Sequence, residues 1–158
     1  MSGKKQQRIH KLMLEMICWA YFILFAYAAC SKLFAYDKFL ITMSKSAMLT
    51  PYAGLLAWAV PLTEIVLALL LMFHRFRQIA LYGSFSLMIM FSTYIVLVLY
   101  FTPEVPCGCG AAIEAIGWKW HLVLNIFFMA LAATGLIIKH SIDQYESGPL
   151  PKTPHQTE

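Results

Sequence analysis

Four long stretches of the chain carry almost no polar positions, and short polar segments separate them. They run approximately over Leu12–Phe34, Tyr52–Phe73, Ile79–Phe101 and Trp120–Ile138. A helix needs about 20 mostly apolar residues to cross roughly 30 Å of hydrocarbon, and each stretch meets that length. A soluble helical bundle would need a polar face on every helix. None of the four stretches has one. The pattern therefore predicts an all-α, polytopic membrane protein, a bundle of four transmembrane helices. It reads as one domain over 1–142 with a polar, Pro-rich tail over 143–158 that is expected to be disordered.

Composition agrees with that reading. Of the 158 residues 60% are hydrophobic and 13% charged, against about a quarter charged in an average soluble domain. The net charge of +4 is not a nucleic-acid signal, because the basic residues gather at the ends of the apolar runs. Lys4, Lys5, Arg8, Lys11, Arg75, Arg77, Lys139 and Lys152 fall on one side. Lys32, Lys38, Lys45 and Lys119 fall on the other. Eight against four places both termini and the HRFR turn in the cytoplasm. The loops Ala35–Pro51 and Thr102–Lys119 then face outward, to the periplasm in a bacterium. The basic start and the AYAAC run ending at Cys30 also resemble a signal peptide, but the run is long enough to span, so we expect it to be retained.

The sharpest chemical feature lies in the second outer loop, TPEVPCGCGAAIEAIGWKW. Cys107 and Cys109 form a C-x-C pair flanked by Pro106, Gly108 and Gly110. Two cysteines one residue apart close only a small, strained ring, and strain makes a disulfide more oxidising. Gly108 permits the backbone such a ring needs. An outward loop lies where disulfides persist. Thiol–disulfide exchange, a static structural disulfide and two ligands of Cu(I) or zinc are the three readings. The pair lacks the four-ligand set of a structural zinc site, and no metal is expected. Cys30, near the outer end of the first span, is a weaker candidate as exchange partner. Cys18, twelve positions earlier, reads as a small buried hydrophobe.

Polar residues inside the spans supply the rest. Glu64 lies mid-span, three residues after Pro61. A charged carboxylate there costs roughly 2.5 kcal/mol or more, so it must be protonated, paired or facing a wet cavity. Lys32 is its candidate partner. A helix–helix hydrogen bond that holds the bundle and a proton-linked transport role are both readings of Glu64. Trp118, His121 and Asn125 stand at i, i+3 and i+7 on one face of the last span, just past the cysteine loop. His121 is a candidate base for a thiol or a buried polar contact. Asn125 is a candidate for a hydrogen bond across the bundle. Ser84, Ser86, Ser92, Thr93 and Tyr94 are expected to bond locally. His74 is expected to face solvent at its turn. There is no phosphate loop, dinucleotide fingerprint or Ser-His-Asp arrangement.

Taken together, the YAACSKLFAYDKF stretch with Lys32, the PLTE stretch with Glu64, the PCGCG loop and the WKWHLVLN segment resemble the MauE/DoxX group of bacterial membrane proteins. The resemblance covers about Tyr21 to Ile138. The chain departs from the pattern at Ala111, where relatives often carry a second glycine. The resemblance implies a multi-pass inner-membrane protein with redox-associated work at the periplasmic face. The MauE type is associated with maturation of methylamine dehydrogenase, a disulfide-rich enzyme, alongside a thioredoxin-like partner. On this resemblance the chain is expected to support periplasmic thiol–disulfide exchange or protein maturation through the C-x-C loop, and whether it is itself a thiol–disulfide oxidoreductase stays open. Cys107 and Cys109 would exchange with a periplasmic thioredoxin-like protein, and a membrane carrier such as a quinone is the candidate electron carrier. The alternative is a non-enzymatic accessory or assembly subunit of a larger membrane complex, with the C-x-C as a static clip.

Overall fold

The computed structural model describes residues 2–45, 50–101 and 117–147. Five helices account for nearly all of them: α1 (Ser2–Phe34), α2 (Tyr36–Lys45), α3 (Ala53–Met72), α4 (Arg77–Phe101) and α5 (Trp118–Ser147). A single 3-10 turn, Thr50–Tyr52, precedes α3. There is no strand among the described residues. Four helices, α1, α3, α4 and α5, are long and apolar enough to cross a membrane. Only 22% to 39% of each span is buried inside the bundle. Much of the rest, with Trp19, Ile23, Trp58, Leu62 and Phe127 among it, is exposed and apolar, a surface suited to lipid. The protein is a multi-pass membrane protein.

Successive spans pack side by side: α1 on α3, α3 on α4, α4 on α5, and α5 back on α1. Side chains from all four spans meet around Tyr21, Phe25, Leu71, Leu81 and Ala132, each at most 1% exposed. The Tyr21 hydroxyl donates to the Phe128 carbonyl, so its one polar group is satisfied in the core. Hydroxyls within the helices bond back to the preceding turn: Ser84 to Ala80 O at 2.7 Å, Thr93 to Ile89 O at 2.9 Å and Thr134 to Ala130 O at 2.8 Å. In lipid no water is available to do this.

α3 and α4 approach closely where Gly83 faces Leu67. A methyl group on Gly83 would stand 2.7 Å from Leu67 Cδ2, inside van der Waals contact. Gly83→Val should therefore cost about 1–3 kcal/mol through overpacking, read as a lower unfolding midpoint in mixed detergent–SDS micelles.

The structure differs from the sequence reading at three places. The first outer loop holds a helix, α2. Phe39 and Met43, four apart, bury one face of it against Ala53, Ala57 and Val60 of α3. Ten residues with two apolar anchors are too short to register as a span. α1 begins at Ser2, so its basic start is helical, and its 33 residues extend about 50 Å. α5 continues past Ile142 to Ser147, supported by a Lys139–Asp143 ion pair one turn apart. The rest of the tail, 148–158, lies outside the described residues.

Candidate functional site

The charged residue at the end of α1 and the one in the middle of α3 meet inside the bundle. Lys32 points back along α1, as helical side chains do, and its Nζ donates to Glu64 Oε1 at 2.7 Å and to Ala28 O at 3.5 Å. Glu64 is 1% exposed. The Lys32 ammonium also lies 6.0 Å from the Phe39 ring centre and 5.7 Å from that of Phe91, within cation–π range. α1, α2, α3 and α4 thus all contribute to one ion-paired layer. Pro61, buried one turn before Glu64, has no N–H to give the Ala57 carbonyl, which loosens the ladder next to the carboxylate.

α5 supplies the remaining side. Asn125 is 4% exposed, and His121, one turn nearer the loop, is half-buried. Lys32 lies close enough to His121 for its charge to act on the ring. Lys32 and Glu64 pair as the sequence suggests, while Asn125 faces inward but its Nδ2 has no hydrogen-bond partner across the bundle among the described residues. Trp118 begins α5, and its side chain lies outside the described residues. Cys107 and Cys109 also lie outside them. Their loop, 102–116, joins the end of α4 to the start of α5, the end of the bundle at which His121 stands.

Cys30 is exposed on α1, off the face that carries Ala29 and Lys32, and is not brought to the layer. Cys18 is buried. It borders a cavity of about 120 Å³ at the other end of the bundle, with Glu15, His74 and Arg77 around it.

Arg77 is the residue that sequence reasoning misses. Its position marks it as a flanking charge, yet it is 6% exposed. Its Nε donates to Leu71 O at 3.3 Å, so it satisfies a carbonyl in the last turn of α3. Its Nη1 meets His74 Nε2 at 3.0 Å, and Nη2 donates to Glu15 Oε1 at 3.5 Å. His74 is exposed but tied to this arginine. A signal exists in the chain: Arg77 is the first residue of a helix whose inward face continues at Ala80, Leu81 and Ser84. Among the described residues no group of three His, Cys, Asp or Glu side chains is placed to hold a metal ion.

A four-span membrane bundle with an ion-paired polar layer inside it defines the class of protein. The chain matches the family model described as "Methylamine utilisation protein MauE" over residues 10–138, and it belongs to that family. No curated protein and no solved structure matches it significantly.

Proposed function

We propose that this protein supports thiol–disulfide exchange or protein maturation at the membrane face bearing the 102–116 loop, with Cys107 and Cys109 as the exchanging pair. The observation that carries this reading is the Lys32–Glu64 pair inside the bundle, with His121 near Lys32 on the side toward the end from which the loop springs. A cation near a thiol favours the thiolate, which is the nucleophile, and a neutral histidine can take the thiol's proton; Lys32 is the candidate cation and His121 the candidate base. Family membership supports a membrane setting for the work. The methylamine of the family's name is not carried over as a substrate.

The reaction balances without an outside electron acceptor. One loop thiolate attacks a partner disulfide, forming a mixed disulfide and releasing the partner's first thiolate. The second loop thiolate attacks the mixed bond, leaving a loop disulfide and a partner dithiol. The reverse sequence delivers the oxidised state to the partner. A thioredoxin-like protein on the outer face of a bacterial inner membrane is the proposed partner. A quinone is the proposed carrier if the loop pair is recycled within the membrane.

The test is differential labelling in intact cells with a membrane-impermeant maleimide, read by mass spectrometry at Cys107 and Cys109. Labelling that rises under mild reduction and falls under oxidation supports the exchange. A pair that stays protected under every redox poise is a static clip, and the accessory-subunit reading then takes its place.

A further inference from the structure

The polar layer has unmet hydrogen-bonding capacity that thiol exchange does not use. Glu64 Oε2, Asn125 Nδ2 and Ser92 Oγ are buried and have no hydrogen-bond partner among the described residues. Glu64 and Asn125 are 1% and 4% exposed. The helix register places the three at similar depth in the bundle. A methyl group on Gly135 of α5 would stand 3.4 Å from both Ile17 of α1 and Leu81 of α4, which sets those three residues at one height. Asn125 lies ten positions beyond Gly135 toward the loop end, and Phe91 ten beyond Leu81, each about 15 Å along its helix. Ser92 follows Phe91, and the Phe91 ring is 5.7 Å from Lys32 Nζ, which bonds Glu64. An acceptor, a donor and a hydroxyl therefore share one layer. Bare buried polar atoms of both kinds are costly, and native interiors satisfy them with water.

We propose that this layer is a proton-binding site, in which Glu64 takes up and releases a proton at Oε2 through internal water held by Asn125 and Ser92, on a route that opens past His121. The proton leaves hydronium at the loop end, passes along the water and bonds to Oε2. The layer's charge rises by one, because Lys32 keeps its own. The rings of Phe39 and Phe91 already flank the ammonium, so the cation retains a partner once the carboxylate is neutral. Of the titratable groups, α1 contributes Lys32, α3 Glu64 and α5 His121, while Tyr94 stands three residues beyond Phe91 on α4. From α2 the layer receives the Phe39 ring, and its Asp37 and Lys38 are exposed. The site stands on its own and survives if the loop cysteines prove to be structural.

Infrared difference spectroscopy on the full chain in lipid nanodiscs tests it. As pH falls, a protonated-carboxyl C=O band should grow that is lost in Glu64→Gln and shifts in heavy water. Asn125→Leu should shift the same band, because the water loses a donor. Lys32→Met should make the band present at every pH at which the protein stays helical. The absence of any pH-dependent band separating wild type from a folded Glu64→Gln would overturn the proposal. If Glu64→Gln does not fold, a carboxyl band unchanged in both Asn125→Leu and Lys32→Met overturns it instead. A structure at a resolution that shows water, with Asn125 Nδ2 bonded directly to Glu64 Oε2, would do so too.

Discussion

Lys32→Met lowers the stability of the bundle by about 3 kcal/mol, and adding Glu64→Leu restores most of the loss. The effect is large because of where the two charges sit. Glu64 is 1% exposed and takes its 2.7 Å hydrogen bond from Lys32. Remove the lysine and an isolated carboxylate is left among Phe39, Phe91 and the apolar faces of four helices. It must then lose its charge or drag water inward. Remove both charges and no buried charge is left in the layer, which is often neutral or favourable for stability. Glu64→Leu alone should cost less than Lys32→Met. The ammonium it strands still has two aromatic faces at 5.7 and 6.0 Å, and its long stem allows it to extend toward the headgroups. Unfolding in mixed micelles across the four proteins of this double-mutant cycle gives the coupling directly. A double variant as unstable as the worse single one would mean that the layer's other polar atoms, and not the ion pair, set the cost.

The spans are readable in the sequence because lipid imposes a simple demand: about 20 apolar residues per crossing and no unsatisfied backbone. The Lys32–Glu64 pair is readable for a related reason. A mid-span carboxylate is expensive enough to require a partner, and Lys32 is a cation within reach of its depth. What lies beyond the sequence is governed by tertiary contact. α2 exists because Phe39 and Met43 find Ala53, Ala57 and Val60 on a neighbouring helix, and nothing local announces that surface. Arg77 looks like one of several interfacial charges until the turn after α3 folds it inward onto Leu71 O, His74 and Glu15. The hydroxyls divide along the same line. Ser84 and Thr93 bond their own helix as expected, whereas Ser92 is left for the layer. Cys107 and Cys109, the most conspicuous residues in the sequence, lie outside the described residues, so their chemistry rests on residue type, spacing and the end of the bundle to which their loop is tied.

Cys107→Ser and Cys109→Ser should each abolish thiol exchange with a partner while leaving the bundle as stable as wild type. The second half of that expectation gives the test its force. A disulfide stabilises by restricting the unfolded chain, and the restriction grows with loop length. A ring closed across one intervening residue gains about 1.6 kcal/mol at most on the chain-entropy relation, and strain in so small a ring subtracts from that. The fold is held by the packing of four spans around Tyr21, Phe25, Leu71 and Leu81, none of which adjoins the 102–116 segment in sequence. A structural clip and a redox pair therefore predict different pairs of results. The redox pair predicts total loss of exchange, an unchanged unfolding midpoint, and a mixed disulfide trapped on whichever single variant keeps the attacking sulfur. The clip predicts normal function from both serine variants. His121→Ala separates a third element. Exchange slowed about 10²-fold or more, the ordinary contribution of a positioned acid or base, and recovered as the pH is raised toward the thiol's own ionisation would identify His121 as the group that promotes the thiolate. Unchanged exchange would remove His121 from the exchange chemistry.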